Sequence, residues 1–166
     1  MQVRRAAVAR DVEAVRLVRL RALADAPEAF GSTLGHEQER TPDGWRRWLS
    51  GPGAAFLLIA EGPEPLGLAA GYRPEDDPSV VHLVSMWVDP AVRRRGGAAL
   101  LVEAVLAWST EVGVDTVRLH AVEGNEGARR VYERQGFHLT GRSEVRARDG
   151  IVELELERAL DREPAC

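Results

Sequence analysis

The sequence predicts a mixed α/β fold, on three observations. A chain of 166 residues, 45% hydrophobic and 29% charged, is long enough for one core and short for two. Runs rich in β-branched residues alternate with segments whose apolar residues recur every three or four positions. The almost wholly apolar stretch Ala98 to Trp108, interrupted only by Glu103, follows the β-branched run Val80 to Val88, which asks for a helix buried against a sheet. The order β-α-α-β-β-β-α-β-α-β-β then gives a mixed central sheet with helices on both faces, in one domain over residues 1–157 with a tail at 158–166.

Gln2 to Ala6 reads as the first strand, and Val12, Val15, Val18, Ala22 and Leu23 mark an amphipathic helix from about Arg10 to Ala24. Its other face carries Arg16, Arg19 and Arg21, read as a solvated face. After Pro27 comes an irregular turn through Thr33. Thr41 before Pro42 then starts a second helix ending near Leu49, with Trp45 and Trp48 as core anchors. Ala54 to Ala60 and Leu66 to Tyr72 form a hairpin across a Gly/Pro turn, and Val80 to Val88 is a long strand ended by Pro90. The buried helix closes at Gly113. Val114 to Val122 is a strand, Asn125 to Gln135 a helix capped by Gly136, and Phe137 to Arg148 with Ile151 to Glu157 a last hairpin around Asp149-Gly150.

Composition narrows the function. All 22 basic residues are Arg, so lysine Schiff-base chemistry and a Walker A loop are excluded. A net charge of −4 speaks against a broad nucleic-acid surface, and no nucleic-acid partner is expected. No apolar run is long enough for a membrane span, and Met1 to Arg5 lacks the apolar run of a signal peptide, so a cytoplasmic setting is expected. The one cysteine, Cys166, allows no intrachain disulfide and no cysteine metal cluster, and no metal is expected. Homodimerisation is left open.

Chemistry concentrates after the long strand. Arg93-Arg94-Arg95-Gly96-Gly97-Ala98 joins that strand to the buried helix, and a helix start with exposed N–H groups and small residues suits an anion such as a pyrophosphate. A second cluster is Asn125-x-x-Ala128-x-x-x-Tyr132-x-x-x-Gly136-Phe137. Asn125 and Tyr132 lie seven residues, or roughly 10 Å, apart along one helix face.

Arg93-x-x-Gly96-x-Ala98 after Val88-x-Pro90, followed at family spacing by the Asn125 to Phe137 cluster, resembles the two motifs of the GNAT superfamily of N-acetyltransferases. The resemblance covers Met1 to about Glu157 and implies acetyl-coenzyme A as cosubstrate and an amine as acceptor. It implies that Arg94 to Ala98 hold the pyrophosphate, with added charge from Arg93, Arg94 and Arg95. Met86, Trp87 and Val88 would offer strand-edge backbone to the cofactor arm, beside Asn125 and Ala128. Tyr132 would be the general acid that protonates the departing thiolate. Gly97-Ala98 departs from the branched residue and Gly of many members, and Gly97 loosens a helix start by ~1 kcal/mol relative to Ala.

Several members carry a glutamate base where this chain has His82, a residue with a suitable ordinary pKa. Strand alternation would place His82 on one face with Val84, Met86 and Val88. His120 is the next candidate; His36 and His138 have no supporting context. The alternative to an N-acetyltransferase is a noncatalytic acyl-coenzyme A binding module of the same fold. The sequence names no acceptor.

Overall fold

The computed structural model describes residues 1–161, so Cys166 lies outside the described residues. Its elements are β1 (Gln2–Arg5), α1 (Val8–Asp25), α2 (Leu34–Gln38), α3 (Pro42–Ser50), β2 (Gly53–Ile59), β3 (Gly67–Tyr72), β4 (Val80–Val88), α4 (Gly97–Glu111), β5 (Thr116–Val122), α5 (Glu126–Arg134), β6 (His138–Val145) and β7 (Val152–Ala159). The expected order holds, with one addition. The stretch read as an irregular turn contains a 3-10 turn, Pro27–Ala29, and leads into α2, whose Thr33 cap accepts the His36 N–H. Five residues are too few for a readable apolar period. β7 also runs to Ala159, so the last strand takes in the first two residues assigned to the tail.

The strands form one sheet in the order β1-β2-β3-β4-β5-β7-β6. Neighbours are antiparallel except β4 and β5, which are parallel. Strand alternation sorts the core into two layers. Ala54, Phe56 and Leu58 of β2 face α4 and α5, where Leu101, Val102 and Val105 are fully buried. Ala55 and Leu57 face α1 and α3, against Val15, Val18, Ala22 and Leu49. Each buried Val, Leu or Phe among these contributes about 1.5–3 kcal/mol relative to exposure. Thr41 caps α3 as its sequence predicts, accepting the Gly44 N–H at 3.0 Å, and Trp45 is buried in edge contact with Trp48.

Candidate active site

β4 and β5 pair only over Val80–His82 and Thr116–Arg118. Beyond that point β4 continues to Val88 and β5 to Val122 with no ladder between them. The parted edges leave backbone donors and acceptors of Met86, Trp87 and Val88 on the side facing β5, where an extended ligand can use them. The β3–β4 register also slips between Leu68 and Ala70, opposite Ser85, which has φ 59°. An extra residue here makes a bulge.

The bulge corrects one expectation. His82 and Val84 lie on the α1 side of the sheet, where His82 stacks on Tyr72 and Val84 packs with the α1 cluster. Met86 and Val88 pack with the α4 cluster instead, so the four residues do not share a face. The inserted residue has reversed the alternation.

At the end of β4, Asp89 accepts the Ala91 N–H and the chain turns toward α4. Arg93 is committed locally: its Nε donates to the Val88 carbonyl at 2.9 Å and its guanidinium pairs with Asp25. Arg94 and Arg95 form no side-chain ion pair among the described residues, and both are exposed. Gly96 takes the left-handed conformation, φ 85°, and no side chain caps the helix it starts. The first intrahelical bond there runs from Leu100 N–H to the Gly96 carbonyl, so the amides of Gly97, Ala98 and Ala99 have no partner within the helix. Gly97 has a packing role too. A Cβ there would stand 2.6 Å from Leu58 Cδ2, so glycine lets the helix start press onto β2.

Asn125 caps α5 through its own side chain, which accepts the Ala128 N–H at 3.2 Å. Ala128 is half-buried against the α4 cluster, and Tyr132 is buried in it, in edge contact with Phe137 at 6.0 Å. Burial alone pushes the Tyr132 hydroxyl well above its ordinary pKa, with no hydrogen bond contributing. The phenol stays protonated at neutral pH. The group therefore carries a proton to give, and the burial that keeps it there also makes it a weaker acid than a free tyrosine.

His82 sits at the fork, in the last β4 residue paired with β5. It is the middle of a ladder of rings, stacked on Tyr72 at 5.1 Å and facing His120 at 6.4 Å. Burial first, then the charges of Arg118 and His120, lower its pKa from the ordinary histidine value. His82 is thus neutral at pH 7 and able to accept a proton. His120 Nε2 is buried without a hydrogen bond, 3.7 Å from Glu155.

The same sheet face carries charged groups that the sequence reading did not single out. Burial would raise the Glu155 pKa, but hydrogen bonds from Arg142 and Thr140 and the nearby charge of Arg118 outweigh it and hold the carboxyl below its usual range. Glu157 accepts from Arg118 at 2.7 Å. Arg146 and Arg148, near the tip of the β6–β7 hairpin, donate to the carbonyls of Glu28, Phe30 and Gly31 and tie the hairpin to the segment before α2. Arg19, read as part of a solvated helix face, is only 7% exposed. The alternation Glu153-Leu154-Glu155-Leu156-Glu157 was the available signal for the carboxylate face; no local pattern marks Arg19 or Ser85.

Residues 20–137 match the acetyltransferase (GNAT) family. The mycothiol acetyltransferase of Rhodococcus erythropolis is 32% identical over 116 residues, covering 67% of this chain and 38% of that protein. Human N-acetyltransferase 8 is 32% identical over 102 residues, 59% of this chain and 44% of that protein. The chain thus matches less than half the length of either relative. Among solved structures, yncA from Salmonella typhimurium, which holds its cofactor acetyl-CoA, superposes with a TM-score of 0.78 at 19% identity, over 100% of this chain and 97% of that one. A GCN5-related N-acetyltransferase from Kribbella flavida gives 0.74 at 24% identity, over 96% and 97%. These two likenesses bear on the fold.

Proposed function

Since the chain belongs to the acetyltransferase (GNAT) family, we propose that it transfers an acetyl group from acetyl-coenzyme A to a primary amine. The observation that carries this reading is the start of α4: three amides without helical partners, a left-handed glycine and no side-chain cap, at the end of a strand that has parted from its neighbour. Acetyl-coenzyme A supplies an activated thioester when bound. The amides of Gly97, Ala98 and Ala99 hold its pyrophosphate, Arg94 and Arg95 add positive charge, and the free edge of Met86 to Val88 aligns the amide-bearing arm in the splay. Asn125 and Ala128 line the other side of that arm, while Arg93 acts by shaping the loop.

On the α1 side, His82 takes a proton from the acceptor ammonium, directly or through a water, freeing the nitrogen lone pair. The nitrogen forms its bond to the acyl carbon and gives up its second proton to solvent as the carbon–sulfur bond breaks. Tyr132 gives its phenolic proton to the departing sulfur and regains one from solvent. The low-dielectric surroundings that keep this phenol neutral also raise the cost of a bare thiolate beside it, so the two penalties offset each other as the proton moves from oxygen to sulfur. The cytoplasmic setting expected from the sequence belongs to the same proposal.

Titration calorimetry with acetyl-coenzyme A tests the donor site. Ala98→Glu places a carboxylate among the phosphates and is expected to weaken binding at least tenfold, the scale of a lost charged hydrogen bond. Equal affinity in wild type and variant removes the α4 start from the site. Thiol release measured over a panel of amines tests the transfer. The panel begins with the acceptor of mycothiol acetyltransferases, because such an enzyme is among the matched relatives, and extends to polyamines, amino-sugar antibiotics and peptides with free N-termini. Tight binding with no release above hydrolysis for any amine favours the noncatalytic acyl-coenzyme A module.

A further inference from the structure

Arg19 lies in the middle of α1 with a nearly inaccessible side chain, 9% exposed. A buried guanidinium persists only where its charge is met; here NH1 and NH2 carry the hydrogen bonds and Nε has no partner among the described residues. Its NH2 reaches Glu37 Oε1 of α2 at 3.4 Å, and Glu37 is itself 3% exposed and held from its other side by Arg40 at 3.1 Å. The guanidinium lies 5.0 Å from the centre of the Phe30 ring. Its NH1 donates to Ser85 Oγ at 2.7 Å. Two helices and an aromatic ring thus fix one cation against one hydroxyl.

That hydroxyl belongs to the residue whose backbone is in the left-handed region, with φ 59°. A residue with a Cβ keeps such a conformation only where its surroundings hold it. Arg94 is the one other non-glycine residue with positive φ among the described residues, and it lies in the loop at the far end of the same strand segment. Ser85 is the inserted residue of the bulge. The bulge decides which way the strand faces afterwards: without it Met86 and Val88 would turn to the α1 side, and the backbone edge offered to the splay would be displaced by one residue.

We propose that Arg19 is a positioning residue for the donor site: through Ser85 it holds the β4 bulge, and so presents the backbone of Met86 to Val88 to acetyl-coenzyme A. The inference rests on the donor reading of the preceding subsection and adds a residue that no motif of the chain contains. A pair serving stability alone would be replaceable by apolar groups without consequence for the donor. A pair that holds the bulge is not.

The experiment measures acetyl-coenzyme A affinity by calorimetry, folding by circular dichroism, and steady-state kinetics with any amine found active. Arg19→Met removes the charge and keeps the length; Ser85→Ala removes the acceptor hydroxyl and keeps the Cβ that must be held. Each is expected to weaken acetyl-coenzyme A binding roughly tenfold, with the acceptor KM unchanged. The double variant loses no more than the worse single one, because both act through one contact. Ser85→Gly, which adopts the left-handed conformation unheld, keeps most of the affinity. If Arg19→Met does not fold, the contrast between Ser85→Ala and Ser85→Gly decides. Folded variants that bind as tightly as wild type, or losses that add in full, overturn the role of Arg19 alone. A wild-type protein that binds no acetyl-coenzyme A removes the donor reading and this inference with it.

Discussion

The two faces of the splay between β4 and β5 are built from different materials. Toward α4 and α5 the surroundings are apolar, and the polar groups on offer are backbone amides at the uncapped start of α4 and one phenol raised in pKa by burial. Toward α1 the groups are charged or titratable side chains: the rings of Tyr72, His82 and His120, the carboxylates of Glu155 and Glu157, and the arginines that hold them. Backbone amides suit a ligand that is always the same. Side chains suit one that differs from enzyme to enzyme. On our reading the first face serves the donor and the second the acceptor, and substitutions of the groups that face the splay should separate in what they change, whereas Arg19 and Ser85, on the α1 side, act on the donor through the β4 backbone.

The largest separation is expected at Tyr132. Tyr132→Phe deletes only the hydroxyl of a ring packed among apolar neighbours, so the fold and the acetyl-coenzyme A affinity should stay while kcat falls by roughly 10²-fold, the usual scale of general acid catalysis. The measurement is a steady-state rate beside a calorimetric Kd for the same preparations. An undiminished kcat, where chemistry limits turnover, would return Tyr132 to a packing role and leave the α4 face with binding alone.

How much of each face the sequence announces follows from the same difference in materials. A helix start that receives an anion needs small residues at fixed positions, so Gly96, Gly97 and Ala98 are visible as a string, and Asn125, Ala128 and Tyr132 are visible because a helix repeats. The α1 face is assembled from residues remote in the chain. Arg19 meets Ser85 across 66 positions and Glu37 across 18, and each alone resembles an ordinary surface residue. The bulge was illegible for a further reason. Val80 to Val88 has the composition of a regular strand, and nothing in it marks the slip at Ser85. Its consequence is that His82, at the fork, does not share a face with Met86 and Val88. The element order survived because apolar periodicity is a local property, and α2 was missed because five residues carry too little of it.

His82 gives the next contrast, in pH. A base must be neutral to act, and burial together with Arg118 and His120 lowers the His82 pKa. kcat/KM for the acceptor should therefore rise with pH along a limb centred below 6.5, the ordinary histidine value, and flatten with respect to this group above it. The ionisation of the amine adds a separate rise at higher pH. His82→Ala should erase the lower limb, slow the reaction at pH 7 by about tenfold or more, and leave acetyl-coenzyme A affinity in place. His82→Glu should recover part of the rate. A His82→Ala profile that superposes on the wild-type curve would exclude this residue and move the proton to His120 or to solvent.

The smallest effect, and the one that separates the faces most finely, is expected at the clasp. Arg148 donates to the carbonyls of Phe30 and Gly31 at 3.0 Å each, beside Arg146, which holds those of Glu28 and Phe30. These bonds fasten the β6–β7 hairpin to the segment that also presents Phe30 to Arg19, so the clasp bounds the α1 face and touches nothing on the α4 face. Arg148→Ala leaves the more deeply buried Arg146 in place. A bond of this kind contributes about 1 kcal/mol net, and its loss loosens the boundary without unfolding it. KM for the acceptor should rise roughly threefold, the acetyl-coenzyme A Kd should not move, and the lower pH limb should stay where it is, because neither His82 nor the groups that shift its pKa have been altered. If Arg148→Ala weakened acetyl-coenzyme A binding and spared the acceptor, the hairpin would belong to the donor side and the division of the splay into two faces would be wrong.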